Sequence, residues 1–433
     1  MTAMAAAVRV PLTTNRRYLA AGTFIMFGVI DIVLFGLFAE KTNAVFELSI
    51  PGAGTKIPSI HAPAAQVCYV LGTISVGLGV TRATVELSNR AKRLAIAAVL
   101  LCFLLSLLCW SDARPSVSPL NVINLLQGTM AASIPLVLGA LAGCLCERSG
   151  VINIAIEGQL LVGAFAAAAV GSAVASGAAG PSFTDNLMGL IAGSLAGGLI
   201  GAVLAVFAIK FLVDQIILGV VINVLAAGLT AYLYDRVMVT YASTLNAGNT
   251  FGTYKIPVLG NIPIIGPIFF DSSIFLYITY VMIALIQVAL FRSRWGLRVR
   301  AVGEHPTAAD TVGIKVLWIR YRNVILGGLI AGIGGAGLTI GSVGYFNPGI
   351  SSGFGYIALA AMIFGRWRPL GAVAAALLFG FSATLATVLS TLNVPVPSYF
   401  LQMAPYVATI IAVAGLVGKV RAPAADGKPY VKA

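Results

Sequence analysis

Residues 187–212 read LMGLIAGSLAGGLIGAVLAVFAIKFL, an apolar run with a single charged residue near its end. The run exceeds the roughly 20 apolar residues that an α-helix needs to cross the hydrocarbon core of a bilayer. Within it, every fourth residue is a glycine, so these glycines lie near one helix face, where a second helix can approach closely. The pattern predicts a transmembrane helix and favours close packing over a hinge. The repeated glycines are Gly189, Gly193, Gly197 and Gly201.

Similar apolar runs occupy most of the chain. Hydrophobic residues make up 59% of the 433 residues and charged residues only 9%, and the mean hydropathy is +0.97. A soluble domain usually carries about 25% charged residues, so lipid must surround much of this chain. We predict an all-α polytopic membrane protein with about 11–12 hydrophobic segments, including a re-entrant segment or half-helix near 353–366. The predicted spans are 18–39, 66–81, 94–110, 119–143, 151–178, 187–212, 215–234, 272–291, 323–343, 369–391 and 399–418.

The net charge of +13 does not indicate a nucleic-acid partner, because the basic residues are confined to short segments between the apolar runs. Such segments stay on the cytoplasmic side of a membrane. The N-terminus, the loop after the second span, the loop 292–322 and the C-terminal tail are all basic. Placing them on one side predicts cytoplasmic termini and external loops at 40–65 and 235–271, if the short segment near 353–366 counts as a crossing.

The chain shows no motif for nucleotide hydrolysis or metal binding. It contains no G-x-x-x-x-G-K-[ST] phosphate loop and no H-E-x-x-H zinc motif. With only His61 and His305 present, histidine-based metal sites and proton relays are poorly supplied. We therefore expect neither an enzyme nor a bound cofactor or metal. Energy for solute movement must come from an ion gradient or from a separate subunit.

The loop 292–322 is the most informative polar stretch, and reads RSRWGLRVRAVGEHPTAADTVGIKVLWIRYR. Pro306 suits the first turn of a helix, alanines continue it, and Gly313 suits its end. We predict a short helix between basic flanks on the cytoplasmic side. It is either an ordinary basic loop or a docking element for a soluble partner, and composition alone favours the ordinary loop.

The same loop resembles the cytoplasmic coupling loop of ABC importer permeases of the branched-chain amino-acid, ribose and nucleoside type. The family pattern GLRxRAVGExPxAADxxGI is matched by Gly296, Leu297, Arg298, Arg300, Ala301, Val302, Gly303, Glu304, Pro306, Ala308, Ala309, Asp310, Gly313 and Ile314. In that family the loop seats in a groove of the ATP-binding subunit, so the resemblance favours docking. The implied docking residues are Gly303, Glu304, Pro306, Ala308, Ala309, Asp310 and Gly313.

Two further stretches support the resemblance. Residues 147–165, ERSGVINIAIEGQLLVGAF, are similar to a segment of the nucleoside permeases, the branch associated with basic membrane proteins. Residues 355–372, GYIALAAMIFGRWRPLGA, are similar to another family segment. We accordingly expect a permease domain over 116–418 and a cytoplasmic tail over 419–433. The resemblance does not explain the extension over 1–115, in which three spans are predicted.

Polar residues within the apolar spans are candidates for the solute path. An ionised Glu157 inside a membrane is costly unless it is paired or hydrated. Two interpretations stay open for it: part of a polar patch along the path, or a structural carboxylate bound by helix N-terminal amides or by Arg148. The candidate path residues are Asn153, Glu157, Gln159, Asn223 and Phe346, the last of which could close the outer mouth.

The resemblance implies the membrane-spanning subunit of an ABC importer that brings a nucleoside or a related small polar solute into a bacterial cytoplasm. It implies a cytoplasmic ATPase that hydrolyses ATP, a second similar permease subunit and an external substrate-binding lipoprotein, with membrane lipid around the chain. Two alternatives remain: a permease of the same family for a simple sugar or a branched-chain amino acid, or an ion-coupled secondary transporter. Glu157 and Asp31 offer only thin support for ion coupling.

Overall fold

The computed structural model describes residues 12–39, 43–49, 57–113, 119–175, 182–392 and 421–432, with the single positions 394, 400 and 403. Ten helices among these residues are long and apolar enough to cross a membrane. Each of them overlaps a predicted span, and the strands are few and short. The prediction of an all-α polytopic membrane protein is therefore confirmed. The remaining predicted span, 399–418, lies almost wholly outside the described residues.

The chain divides into two compact units, residues 1–124 with 388–397 and residues 125–387 with 398–433. The elements of the first unit are α1 (Leu12–Ile30), β1 (Asn43–Glu47), β2 (Ile60–Pro63), α2 (Ala64–Thr84), α3 (Asn89–Asp112) and β3 (Leu120–Asn121). The strands form one sheet in the order β2-β1-β3, with β1 antiparallel to β2 and parallel to β3. Asp112 at the end of α3 accepts hydrogen bonds from the N–H groups of Val45, at 2.6 Å, and Leu120, at 2.8 Å. This carboxylate ties the sheet to the end of α3.

The second unit contains most of the remaining helices. The elements are α4 (Val122–Glu147), α5 (Ile156–Ala175), α6 (Phe183–Ala205), α7 (Gln215–Leu233), α8 (Ala242–Leu245), β4 (Thr253–Lys255), α9 (Ile265–Phe270), β5 (Asp271–Ser273), α10 (Ile274–Arg292), α11 (Arg294–Glu304), α12 (Pro306–Thr311), α13 (Val316–Leu338), α14 (Phe354–Phe364) and α15 (Pro369–Thr391). β4 and β5 pair antiparallel. α14 has 11 residues, too few to cross a bilayer at about 1.5 Å per residue. It is the half-helix predicted near 353–366.

Several predicted boundaries differ from the helix ends. α3 and α13 begin earlier than their predicted spans, at Asn89 and Val316, whereas the span predicted over 151–178 becomes helical only at Ile156. Gly150 adopts a left-handed conformation with φ +89° and redirects the chain after α4. The N–H of Ile152 then donates to the side-chain oxygen of Gln215 at 2.8 Å instead of to a helical carbonyl. Side-chain bonding of this kind, which hydropathy does not register, delays the start of α5.

Glycines bring α5, α6 and α13 into backbone contact. A Cβ added to Gly197 on α6 would lie 2.5 Å from the carbonyl oxygen of Gly328 on α13. One added to Gly189 on α6 would lie 2.7 Å from the carbonyl oxygen of Ala167 on α5. The close packing predicted from the four-residue glycine repeat is confirmed, and α6 is held between its two neighbours.

Gly197→Ala is expected to destabilise the protein, because the new methyl group would push two packed backbones apart. Overpacking of this kind costs about 1–3 kcal/mol. Gly228 on α7 is the matched control, since a Cβ there would meet nothing within 4 Å among the described residues. Thermal unfolding in detergent should show a lower melting temperature for Gly197→Ala and no loss for Gly228→Ala. Equal melting temperatures would contradict the close packing.

Candidate functional site

The predicted docking element is a short helix that lies between the membrane-spanning helices α10 and α13. α12 begins with Pro306 in its first turn, and Gly313 follows its end with φ +82°, a conformation typical of helix termini. The short helix predicted at this place is confirmed. Ala308 on α12 is exposed, whereas Ala309 is buried. One face of α12 therefore packs against the rest of the protein, and another face is open.

Aromatic rings hold the basic residues on both sides of α12. The guanidinium carbon of Arg322 on α13 lies 5.5 Å from the ring centroid of Trp295 on α11 and 5.2 Å from that of Trp318. The guanidinium carbon of Arg300 on α11 lies 5.1 Å from the ring centroid of Phe291 on α10. Such cation–π contacts are attractive. They join α11 to α10 and α13, so the loop around α12 is braced at both ends.

On its inner side, α11 rests on the turn 147–150 at the end of α4. Gly303 faces the carbonyl oxygen of Arg148 so closely that any side chain at position 303 would collide with that backbone. The turn is closed by hydrogen bonds from the N–H groups of Ser149 to Cys146 O and of Gly150 to Glu147 O, both at 3.0 Å. The predicted docking loop, residues 292–322, is thus in direct contact with the first residues of the 147–165 motif.

The same turn holds the loop that follows the half-helix α14. Glu147 accepts a hydrogen bond from the indole N–H of Trp367. Arg148 donates to the carbonyl oxygens of Trp367, at 2.9 Å, and Arg366, at 3.2 Å. Arg366 and Trp367 have φ of +57° and +54°, a conformation that side-chain-bearing residues rarely adopt without support. These bonds supply that support and bring the two sequence motifs together.

Glu157 binds the other end of the half-helix. Its carboxylate accepts hydrogen bonds from the hydroxyl of Ser351, at 2.6 Å, and from the N–H groups of Gly353, at 2.9 Å, and Gly355, at 2.6 Å. The last two groups lie at the N-terminus of α14, where unpaired N–H groups and the helix dipole favour a negative charge. This geometry corresponds to the structural interpretation of Glu157. Arg148, the other partner considered, makes its described hydrogen bonds elsewhere.

The three amide side chains predicted for the solute path make two separate sets of hydrogen bonds near the start of α5. Asn153 and Gln159 bond each other at 3.1 and 3.4 Å. Asn223 on α7 accepts from the N–H of Gly158, at 2.8 Å, and donates to the hydroxyl of Tyr356 on α14, at 3.1 Å. None of the three amides is more than 5% exposed. Asn223 fastens the start of α5 to α7 and α14.

Phe346 lies in a separate hydrophobic cluster. Its ring is fully buried, 5.2 Å from the ring of Phe165 and 6.1 Å from that of Tyr234, measured between centroids. The side chain of Asn246 accepts from the Phe346 N–H at 2.7 Å and donates to its carbonyl oxygen at 3.0 Å. Sequence reasoning missed Asn246. The Asn-Ala-Gly-Asn composition of residues 246–249 marks a turn but does not reveal its partner.

Residues 421–432, hereafter the C-terminal strap, were predicted as part of a simple tail. In the structure Pro423, Ala425 and Tyr430 are buried, so the strap is packed on the protein. Two prolines and a tyrosine in a polar segment were the available signal. Within the described ranges, no group of three or more His, Cys, Asp or Glu side chains could hold a metal ion.

Comparison with known proteins shows which family this chain resembles. Residues 125–416 match the family model described as branched-chain amino acid transport system / permease component. The chain is 40% identical over 326 residues to the guanosine ABC transporter permease protein NupQ of Bacillus subtilis (strain 168), covering 71% of this chain and 96% of NupQ. It is 40% identical over 323 residues to the nucleoside ABC transporter permease protein NupC of Lactococcus lactis subsp. cremoris (strain MG1363), covering 72% and 99%.

A more distant relative is the putative glucose ABC transporter permease protein TsgC13 of Haloferax volcanii, 32% identical over 261 residues, which cover 59% of this chain and 75% of TsgC13. No solved structure gives a significant match. The family match includes the docking loop, the half-helix and the segment that binds both. The chain therefore belongs to the branched-chain amino acid transport system permease component family of ABC transporter permeases.

Proposed function

We propose that this chain is the permease subunit of an ABC importer that brings nucleosides into the cytoplasm. The observation that carries the proposal is the 40% identity to a guanosine permease along 96% of that protein. A nucleoside permease from a second bacterium, matched along 99% of its length, supports the same solute class.

The contacts of the segment 147–158 suggest how ATP hydrolysis would act on the solute path. The exposed face of α12 would seat in the ATPase subunit, and α11 would carry its movement to the turn 147–150. That turn binds the loop after α14, while Glu157 binds the start of α14. A rocking of α12 would therefore be delivered to both ends of the half-helix, and α14 would tilt as a rigid piece.

We propose that the buried amides Asn153, Gln159 and Asn223 frame the path. Asn153 and Gln159 bond each other, and Asn223 forms a second network with the backbone of α5 and with Tyr356. Glu157 would serve in the same way by fixing the N-terminus of α14. The side chain of Tyr356 is 49% exposed and its hydroxyl is positioned by Asn223. It is the group of this network that we expect to face the solute.

Phe346 would act at the outer mouth of the path. Its ring lies in the hydrophobic cluster that also contains Phe165 and Tyr234. The two hydrogen bonds between the side chain of Asn246 and the backbone of Phe346 would keep the mouth closed. Opening the mouth would require these bonds to break together, which makes the contact suited to a gate with two states.

The proposal assigns the energy source and the remaining parts to partners. A cytoplasmic ATPase subunit would hydrolyse ATP, a second similar permease would complete the pore, and an external substrate-binding lipoprotein would deliver the solute. The chain itself would bind no cofactor. With the basic loops inside, and with residues 344–366 together rather than α14 alone completing a crossing, both termini would lie on the cytoplasmic side of a bacterial cell membrane, surrounded by lipid.

Competition for labelled guanosine uptake tests the solute class. In cells whose only nucleoside uptake is the complete importer, an unlabelled nucleoside at about ten times its dissociation constant should lower the uptake of labelled guanosine about tenfold. The reason is that the unlabelled nucleoside occupies most of the binding sites. Glucose and leucine at the same concentration should leave uptake unchanged. Inhibition by glucose or leucine, but not by nucleosides, would overturn the nucleoside assignment.

A simple-sugar permease of the same family is the second candidate, favoured by the similarity to TsgC13. An ion-coupled secondary transporter would need a membrane carboxylate free to bind the coupling ion. Glu157 is engaged by three donors, and Asp31 belongs to the first unit, before the residues that the family model matches. We therefore favour an ATP-driven importer.

A further inference from the structure

The C-terminal strap is joined to the docking loop through backbone hydrogen bonds. The N–H of Ala425 donates to the carbonyl oxygen of Gly303 at 2.9 Å. The N–H of Ala424 donates to the carboxylate of Glu304 at 3.2 Å. Gly303 and Glu304 end α11, immediately before α12. The strap therefore binds the docking loop beside the helix that we propose to enter the ATPase.

The strap has a defined turn of its own. The N–H of Asp426 donates to Pro423 O at 3.0 Å, and the N–H of Lys428 donates to Ala425 O at 3.2 Å. Gly427 takes φ +71°, which a glycine adopts without strain. A turn fixed by internal bonds presents its outward N–H and carbonyl groups in set directions, so its contacts with other elements are specific.

A buried arginine holds the inner side of the strap. Arg320 on α13 is 2% exposed and donates from Nη1 to the carbonyl oxygen of Lys428 at 2.9 Å. Its Nε and Nη2 have no hydrogen-bond partner among the described residues. A Cβ added to Gly150 would lie 2.8 Å from Arg320 Nη2 and 3.1 Å from Ala425 O. The guanidinium, the strap and the turn 147–150 thus meet at one point.

Two carboxyl groups make the next attachment. Asp426 lies beside Glu147, the residue that also binds Trp367. Burial raises the pKa of Asp426 from 3.8 to about 7, although its interaction with Glu147 and the charge of Arg320 act against the rise. The carbonyl oxygen of Ala425 lies over Gly150, 3.1 Å from where a Cβ would stand. The strap therefore packs against the turn 147–150 as well as bonding the docking loop.

At its far end the strap reaches α12 itself. The hydroxyl of Tyr430 lies within hydrogen-bonding reach of the carboxylate of Asp310. Both residues line a groove of about 450 Å³ between α12, the start of α13 and the strap. The strap consequently touches α11, α12, α13 and the turn 147–150.

We propose that the C-terminal strap is a positioning element that makes the docking loop and the turn 147–150 move as one piece. Gly303 packs directly against the backbone of Arg148, a contact that resists compression more than separation. The strap is hydrogen-bonded to the end of α11 and to Arg320 on α13, and it packs on Gly150, so separating the docking loop from the turn would also have to break these contacts. This inference rests on the proposed function, because the force is taken to come from an ATPase docked on α12.

The test uses the complete importer in proteoliposomes with guanosine as the solute. The variants are a truncation that ends the chain before position 421, Tyr430→Ala, and the matched control Val431→Ala, whose side chain is 70% exposed. For each, the amount of bound ATPase subunit, the rate of ATP hydrolysis and the guanosine imported per ATP are measured. The truncation should keep bound ATPase and hydrolysis but import about tenfold less guanosine per ATP, a ratio equivalent to about 1.4 kcal/mol. Tyr430→Ala should shift the ratio in the same direction, and Val431→Ala should match the unmodified protein.

An unchanged import ratio in both the truncation and Tyr430→Ala would overturn the inference. So would a loss of hydrolysis and import in equal proportion, which is what a merely structural role predicts. Ala309→Pro on α12, measured alongside, tests the docking of the ATPase subunit separately from the role of the strap. If it removes the ATPase while the strap variants leave the import ratio intact, the strap inference is wrong and the proposed function stands. If uptake by the unmodified importer does not need ATP, the proposed function itself is wrong.

Discussion

Ala309→Pro is expected to abolish ATP-dependent uptake while the permease stays in the membrane. The N–H of Ala309 donates to His305 O at 3.0 Å, and its side chain is buried against the permease. A proline inside a helix costs about 3 kcal/mol, equivalent to about a hundredfold in an equilibrium constant. α12 has six residues and no second turn to absorb the change. Co-purification should show that the amount of bound ATPase subunit falls about a hundredfold or more.

The control for this variant is Thr307→Pro. Thr307 lies in the first turn of α12, where an N–H has no partner within the helix and proline is tolerated. It should retain ATPase binding and uptake. If Ala309→Pro bound the ATPase subunit as well as Thr307→Pro does, α12 would not be the docking helix.

Removal of the Glu157 carboxylate is expected to release the N-terminus of α14. Glu157→Ala would leave a hydroxyl and two N–H groups without their acceptor, each costing about 1–3 kcal/mol when buried. The melting temperature in detergent should fall markedly, and uptake should be lost. Glu157→Gln keeps an acceptor oxygen and should lose less of both. Because the carboxylate is placed here as a cap, the order of stability should be glutamate, glutamine, alanine.

Neighbouring serines provide a matched pair for the same claim. Ser351 is buried and donates to Glu157 at 2.6 Å, whereas Ser352 is exposed. Ser351→Ala should lower the melting temperature and Ser352→Ala should not. Equal melting temperatures for the two serine variants, together with an unchanged melting temperature for Glu157→Ala, would contradict the capping role of Glu157.

Hydropathy alone was sufficient for the ten spans that the structure describes, because lipid exposure demands about 20 apolar residues per crossing wherever the chain crosses. The short helix α12 was also predictable, since Pro306 and Gly313 determine its ends through their own backbone preferences. The start of α5 was not. There, the N–H of Ile152 bonds the side chain of Gln215, and a partner 63 residues away leaves no local pattern in the sequence.

The candidate site was predictable as separate pieces but not as an assembly. The motifs 147–165 and 355–372 were recognised independently, yet nothing in either indicates that Glu147 binds Trp367 or that Glu157 caps α14. The strap escaped for a different reason: most of its attachments use backbone N–H and carbonyl groups, which every sequence possesses. The signals that the sequence offered were the two prolines and the tyrosine of the strap and Arg320, a charged residue at the start of a membrane helix.

The most direct test of the central claim is guanosine accumulation in proteoliposomes that contain the permease pair and the substrate-binding lipoprotein under an imposed proton gradient. Accumulation is measured with or without the ATPase subunit, in the presence and absence of an uncoupler. We predict accumulation that requires both the ATPase subunit and ATP and is unaffected by the uncoupler. Accumulation that persists without the ATPase subunit and collapses when the uncoupler is added would contradict an ATP-driven importer and indicate an ion-coupled transporter instead.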